Sequence, residues 1–325
     1  MKTISVVIPT FNEEGNVKQA YEKVKKVFLD KLQEYNYEII FIDNYSKDTT
    51  RKIITDICKY DNNVKAIFNA KNFGFTKSTF YGLIQSTGDA TVLIFADMQD
   101  PPQLIYDFVK EWEKGNKIVI GIKNRSKENR IMYLLRSCYY KMISKIAEIE
   151  HINHFTGFGL YDKSFIEVLS KLDDPMPYLR GIVSELGYER KELFYEQQKR
   201  EYGKSNFNFF KLYDVAMLGI TSYSKVVMRI ATILGLIASA TSMLVAIITI
   251  CLKIIYWDKY PIGTAAILTG TFFIGSIQLF FIGLLGEYIL NINTRVMKRP
   301  LVIEDRRINF DTLDSFEIEE KRISF

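Results

Sequence analysis

Two stretches of this chain, Ala231 to Leu252 and Pro261 to Gly286, contain no charged residue, and each is longer than the roughly twenty residues that cross a bilayer. Helices buried in a globular core seldom reach that length. The pair therefore predicts a membrane hairpin, which confines any soluble fold to the residues on either side of it. Gly235, Ser239, Thr241 and Ser242 in the first stretch, and Gly263, Gly270, Gly275 and Gly283 in the second, suit close packing of the two helices on each other or on a neighbouring copy. A homo-oligomer is thus left open. Lys225 and Arg229 precede the first stretch, and Arg295, Lys298 and Arg299 follow the second. By the positive-inside tendency both ends lie in the cytoplasm, with Tyr256, Trp257 and Tyr260 at the far interface.

Ahead of the hairpin the composition changes: charges are spread throughout residues 1–225. Short β-branched apolar runs at Ile4–Ile8, Glu38–Ile42, Val64–Phe68, Thr91–Phe95 and Lys117–Ile122 read as strands. Helical patterns lie between them at Glu14–Leu32, Thr49–Tyr60, Thr76–Ser86 and Pro102–Lys114. Such alternation predicts an α/β fold with a mostly parallel, doubly wound sheet. The first strand begins almost at Met1 and no apolar leader precedes it, so the catalytic part is expected to stay on the cytoplasmic side. Ile131–Ile149 and Phe209–Tyr223 mix cations with apolar residues and read as amphipathic helices lying in the membrane interface. Cys58, Cys138 and Cys251 are too far apart to suggest a disulfide or zinc framework. The net charge of +5 is dispersed and no nucleic-acid-binding motif is present, which argues against a nucleic-acid partner and suits an anionic leaflet.

The chemistry gathers in the loops after the strands. Asp97-Met98-Gln99-Asp100-Pro101-Pro102 follows the fourth run. Carboxylate and amide oxygens at a strand's carboxyl end suit Mg²⁺ or Mn²⁺ on a substrate diphosphate. Asp97 and Gln99 are the candidate metal ligands, and Asp100, beside two prolines, reads partly as a helix cap. Pro9, Thr10, Phe11 and Glu13 follow the first strand, Asp43 and Asn44 the second, and Lys71 the third; together they form a candidate nucleotide site. Candidate phosphate-binding cations are Lys123, Arg125, Arg180, Arg200 and Lys204, with Ser205 as a neutral donor. Arg200 to Ser205 directly precede the second amphipathic stretch, where a lipid headgroup would arrive. His151 and His154 are the only histidines, and a metal role for them is disfavoured.

The strings VVIPTFNEE at 6–14, KNFG at 71–74, ADMQDPP at 96–102, REYGKSNF at 200–207, GEYI at 286–289 and KRP at 298–300 together resemble the family 2 glycosyltransferases that load polyisoprenyl phosphates. Bacterial undecaprenyl-phosphate glycosyltransferases and dolichol-phosphate mannose synthases are examples. The resemblance implies a GT-A Rossmann-like catalytic domain over residues 1–206, an interfacial helix over 207–225, membrane helices over 226–256 and 261–290, and a cytoplasmic tail over 291–325. It also implies a nucleotide-diphosphate sugar donor, a divalent metal, a polyprenyl phosphate acceptor and, in a bacterium, a multi-pass protein of the inner (plasma) membrane serving cell-envelope glycan modification. Pro9, Phe11 and Glu13 match the family's first nucleotide loop, Asp43, Asn44 and Lys71 its base-binding region, and Asp97 and Gln99 its metal side.

Three positions depart from the pattern. Phe95 stands at the first Asp of the D-x-D, Asn44-Tyr45 replaces Asp-Gly, and residues 153–162 lack the usual acidic pair. A UDP-sugar is the expected donor, with a GDP-sugar enzyme like the mannose synthases as the neighbouring reading. A non-catalytic membrane scaffold is the reading from a different class. Loss of the acidic pair is tolerable on chemical grounds, because a phosphate monoester is mostly dianionic at neutral pH and needs no base to become a nucleophile. Asp97 and Arg200 are then the expected catalytic groups, the first on the departing diphosphate and the second on the acceptor.

Overall fold

The computed structural model describes residues 1–125, 152, 154–198, 264–297 and 299–310, with isolated positions between 233 and 255. The chain divides into two compact units: one holds the sheet, and the other holds the long helix that follows it.

In the first unit, β1 (Thr3–Thr10), β2 (Asn36–Asp43), β3 (Val64–Asn69) and β4 (Ala90–Leu93) run parallel, separated by α1 (Val17–Lys31), α2 (Thr50–Tyr60) and α3 (Phe75–Ile84). After α4 (Leu104–Glu113) come β5 (Ile118–Arg125), β6 (Phe155–Asp162), α5 (Lys163–Lys171), α6 (Leu179–Glu185) and β7 (Arg190–Glu196). Past the long helix α7 (Thr264–Val296), β8 (Glu304–Ile308) closes the sheet, whose order is β7-β5-β6-β4-β1-β2-β3-β8.

The expected doubly wound α/β sheet is present, but it is more mixed than its strand pattern suggested. β6 is antiparallel to both β4 and β5, and β8 is antiparallel to β3. The first four strands are buried on both faces, which is why they read as continuous apolar runs rather than alternating ones. Ile4, Val6 and Ile8 pack with the apolar stripes of α1, α2 and α4, including Val24, Phe28, Ile54 and Phe108. Val7, Ile40 and Ile42 face the other way, in a cluster with Phe80 and Leu83 of α3, Phe165 of α5 and Ile182 of α6. Helix α3 lies unusually close to the sheet at Gly82, where a Cβ would stand 2.9 Å from both Ile42 and Val7.

The segment that stands where the family pattern carries its acidic pair includes strand β6. Its N-terminal end, at His154 and Phe155, lies beside Lys123 and Ile122. Its last residue, Asp162, pairs with Ala90, where β4 begins. Asp162 thus sits at the edge of the sheet opposite Asp97.

In the second unit α7 is continuous over 33 residues, with Ile267, Leu279, Ile282 and Ile289 exposed. Among the described residues no helix is long and apolar enough to cross a membrane, so the hairpin stays an expectation of the sequence. Most of the first expected span, 226–256, and both amphipathic stretches lie outside the described residues.

Candidate active site

The carboxyl ends of β1 to β4 bring the predicted loops to one edge of the sheet. Thr10 and Asp43 are in register at the ends of β1 and β2, and Asn44 N–H donates to the Thr10 carbonyl at 2.9 Å. The β1 loop is pinned to the β2 loop in both directions. Asn12 N–H donates to Ser46 Oγ at 2.8 Å, and Lys47 N–H donates back to Asn12 Oδ1 at 2.8 Å. Glu13 N–H donates to Thr50 Oγ1 at 2.9 Å. The Glu13 carboxylate accepts from Asn16 Nδ2 at 2.6 Å, and its carbonyl accepts from Asn16 and Val17 N–H, so part of its work is to start α1. Pro9 and Phe11 are half-buried beside it.

Asn44 knots three loops together. Its Oδ1 accepts from Phe73 N–H at 2.9 Å and Asn69 Nδ2 at 3.2 Å, while its Nδ2 donates to Asn72 Oδ1 at 3.0 Å. An aspartate here could not make that last donation, which gives this departure from the family pattern a structural reason. Tyr45, at the usual glycine position, has φ +70°, a left-handed conformation uncommon for a bulky residue. Its ring lies under Lys47 and near Arg51, with Lys47 Nζ 3.6 Å from the centroid. Lys71 is exposed, with Nζ 5.0 Å from the centre of the Phe73 ring. Asp43 is fully buried. Its Oδ2 accepts from Ser46 N–H at 3.0 Å and Arg51 Nε at 2.7 Å, whereas its Oδ1 is buried without a partner.

After β4 the backbone turns sharply at Met98, φ +56°, and the side chains alternate in exposure. Asp97 and Gln99 are half-exposed, while Met98 and Asp100 are buried. The Asp97 Oδ1 accepts from Gln99 N–H at 3.3 Å. Residues the sequence did not single out hold this loop from the end of β7. Gln197 Nε2 donates to Gln99 Oε1 at 2.9 Å, Gln198 N–H donates to the Gln99 carbonyl at 2.9 Å, and the Tyr195 hydroxyl donates to Asp100 Oδ1. Lys123 Nζ lies 4.0 Å from the same oxygen. Burial pushes the Asp100 carboxyl up to about 6, with the charge on Asp97 adding to it and Lys123 and Tyr195 working against it. The capping role expected of Asp100 is therefore replaced by an anchoring one, and α4 starts after Gln103 without a side-chain cap. Charge alternation in Arg190–Glu196 hides β7, because only Tyr195 of its residues is buried. The Tyr195 ring meets Phe158 edge-on at 5.5 Å.

Phe95 packs against Phe75 at 5.5 Å, so the missing first carboxylate of the D-x-D is an apolar contact between the β4 loop and α3. Among the described residues no three His, Cys, Asp or Glu side chains converge as a metal cluster. A diphosphate-bound Mg²⁺ or Mn²⁺ does not need such a cluster, since one or two carboxylates, water and the phosphates suffice. The half-exposed carboxylate of Asp97 with the amide oxygen of Gln99 fits that hard-donor role.

The predicted phosphate cations separate. Lys123 is brought to the site, Arg125 pairs in register with Glu196, and Arg180 is half-buried in α6. Arg200, Lys204 and Ser205 lie outside the described residues.

The arrangement is that of an open α/β sheet with polar loops, among them the accessible carboxylate of Asp97, at its carboxyl edge, the place where such sheets bind ligands. The family model for Glycosyl transferase family 2 matches residues 5–170, and the chain belongs to that family and is a glycosyltransferase. It is 32% identical over 298 residues to the bactoprenol glucosyl transferase of Shigella phage SfX, covering 91% of this chain and 97% of that one. It is also 32% identical over 304 residues to the prophage bactoprenol glucosyl transferase homolog of Escherichia coli K12, covering 93% and 98%. Among solved structures, mannosyl-3-phosphoglycerate synthase from Rubrobacter xylanophilus aligns with a TM-score of 0.48 at 17% identity, over 72% of this chain and 75% of that one.

Proposed function

We propose that this enzyme transfers a sugar from a UDP-sugar to a polyprenyl phosphate, undecaprenyl phosphate in a bacterium, with inversion at the anomeric carbon. The observation that carries the reading is the Asp97 loop: a half-exposed carboxylate and amide at the mouth of the crevice, held from behind by Tyr195, Gln197, Gln198 and Lys123. Full-length likeness to bactoprenol glucosyl transferases supports the lipid acceptor. The nucleotide end of the donor is assigned to Pro9, Thr10, Phe11, Glu13, Asp43, Asn44 and Lys71.

Asp97 and Gln99 would hold a divalent cation, which would neutralise charge on the departing diphosphate. The protein's other task is positioning: the acceptor oxygen must approach the anomeric carbon from the side opposite the diphosphate. No general base is assigned, because the acceptor is already ionised. Asp162 and the sheet edge it occupies support that view. Asp162 accepts from Ser164 N–H, Ser164 Oγ and Trp112 Nε1 at 2.9, 2.6 and 2.8 Å and caps α5 rather than facing the crevice.

The membrane hairpin belongs to the same proposal. Its support is the two uncharged runs and the exposed apolar residues on both sides of the connection, among them Ile233, Ile237, Leu244, Ile248, Ile267, Leu279 and Ile282. Lys123, Arg125, Arg180, Arg200, Lys204 and Ser205 remain candidates for the acceptor phosphate. The test is single-turnover transfer from a panel of labelled UDP- and GDP-sugars to polyprenyl phosphate, with Arg200→Ala beside the native chain. Label is expected in the lipid from a UDP-sugar, with Arg200→Ala lowering transfer more than about tenfold and leaving donor affinity in place. Label appearing in no lipid with any donor would end the proposal.

A further inference from the structure

The segment after α7 does more than close the sheet. β8 pairs with β3 through Ala66↔Ile308, Ile67↔Arg307 and Phe68↔Arg306, and then the register slips so that Asn69 faces Glu304. Asp305 is thereby the extra residue of a bulge. Bulges bend a strand and re-aim a side chain, and they recur beside active sites. Here the bulge turns Asp305 toward Arg51 of α2, with Oδ2 3.3 Å from Nη1.

Arg51 is held on three sides. Nε donates to Asp43 Oδ2 at 2.7 Å, Nη2 donates to the Asn69 carbonyl, and Nη1 reaches Asp305. A guanidinium is a rigid planar fork, so acceptors on three sides fix both its place and its plane. The group it holds in turn is Asp43, whose other oxygen is the partnerless one. Flanking contacts keep the strand itself in place. Arg306 stacks on Phe68 at 4.6 Å, Tyr81 donates to Glu304 at 2.7 Å, and Asn309 Nδ2 donates to the Cys58 and Val64 carbonyls at 2.8 Å.

We propose that β8 is a working part of the donor site, in which Asp305 is a positioning residue that orients Arg51, and through it Asp43, for the nucleoside end of the donor. The inference rests on the reading that the β1 to β3 loops take a nucleotide. It makes the nucleoside site depend on chain that follows α7, so that truncating the tail before β8 would disturb recognition of the base rather than of the diphosphate.

Asp305 is 54% exposed on its side chain, so substitutions there leave the core untouched. The experiment is equilibrium binding to the full-length protein in detergent with Mn²⁺ present. The probes are UDP, GDP and inorganic pyrophosphate, and the chains are native, Asp305→Asn, Asp305→Glu and Asp305→Arg. For whichever nucleotide binds the native chain more tightly, Asp305→Asn should weaken binding about two- to fivefold, the range of an exposed ion pair. Asp305→Arg sets like charge against Arg51 and should weaken it about tenfold or more, while Asp305→Glu restores affinity to within about twofold. Pyrophosphate affinity should not change in any variant. Native nucleotide affinity in Asp305→Arg would overturn the inference. Parallel loss of nucleotide and pyrophosphate binding, accompanied by a lower melting temperature, would also overturn it, by making β8 merely structural. A native chain that binds pyrophosphate but neither nucleotide would instead overturn the donor reading beneath it.

Discussion

The two edges of the sheet treat buried acids in opposite ways. At the edge where β1, β2 and β4 begin, the buried and half-buried carboxylates of Glu38, Asp61 and Asp162 are saturated with donors. Glu38 accepts from Thr87 Oγ1 at 2.9 Å, Thr87 N–H at 3.1 Å and the Ser5 hydroxyl, and pairs with Lys65 at 2.6 Å. Asp61 accepts from Tyr21, Tyr37 and Lys25 within 2.8 Å. Burial acts to raise the Asp61 and Asp162 carboxyls, but their hydrogen bonds win and hold both below the ordinary range. At the opposite edge, Asp43 keeps an unpartnered oxygen, Asp97 is left accessible, and Asp100 is pushed up to about 6. Burying polar groups without full compensation costs free energy, and local strain of this kind gathers at functional sites. One edge is therefore built to hold the fold together, and the other to hold something else.

That contrast breaks most easily at Asp97. Asp97→Asn removes the one accessible carboxylate of the β4 loop while leaving the core intact. Transfer should fall by about three orders of magnitude, as when a group stabilising developing charge is lost, with the melting temperature unchanged. Single-turnover kinetics beside a thermal melt checks this, and unchanged turnover in a folded variant would remove Asp97 from the site.

At the saturated edge the expectation is reversed. Glu38→Gln strips Lys65 of its buried partner and should cost about 3 kcal/mol of unfolding free energy, while activity per folded molecule stays native. A denaturant titration paired with transfer assays decides the matter. Loss of activity without loss of stability would show that the two edges are not separate in their roles.

The legible part of this molecule is the part that obeys simple periodicity. β1 to β4 are buried on both faces, so their apolar runs announced them within a few residues, and the loops that follow them gather at one edge of the sheet, as parallel topology predicts. The strands that escaped notice lack that signature. β7 alternates charge with a single buried residue, Tyr195. β8 is Glu-Asp-Arg-Arg-Ile, a sequence whose strand state comes from pairing with β3 and from side-chain partners on α2 and α3. β6 reads only as a segment lacking the family's acidic pair, and its Thr-Gly-Phe-Gly run carries no simple strand alternation. In fact Gly159 packs where a Cβ would stand 2.6 Å from the Val119 carbonyl. Lys123, Tyr195 and Gln197 converge on the Asp97 loop from strands distant in sequence, and local pattern carries no record of such pairings.

Asp100 carries the difference between the two edges into pH dependence. Its folded-state value of about 6 lies above the ordinary 3.8, so between those values the folded chain binds more protons than the unfolded one. Its contribution to stability therefore falls as pH rises through that window and is flat above it. Asp61 and Asp162 are depressed and behave oppositely: their contribution is present above the ordinary carboxylate range and is lost as pH falls through their lowered values. Asp100→Asn should thus gain on the native chain by on the order of 2–3 kcal/mol between pH 4 and pH 7. Melting curves across that range test the sign. A constant difference would mean that Asp100 titrates normally.

The smallest effects should come from residues that a base-dependent mechanism would make indispensable. Asp162 stands in the segment where the acidic pair was expected, yet it caps α5 at the saturated edge, with Ser164 and Trp112 as its donors. His154, with φ +59°, immediately precedes β6 at the crevice edge, and its carbonyl accepts from Lys123 N–H. Asp162→Asn should cost about 1 kcal/mol of stability as a weakened cap and leave transfer almost native. His154→Ala should stay within about two orders of magnitude of native, the lower end of what a general base contributes. The acceptor's own ionisation sets these limits: above its second pKa of about 6 the phosphate is already dianionic, and no protein group has a proton to remove. The decisive measurement is single-turnover chemistry at saturating donor and lipid. If His154→Ala abolished the chemical step while both substrates still bound, a base would be required, and the crevice edge would have to supply it.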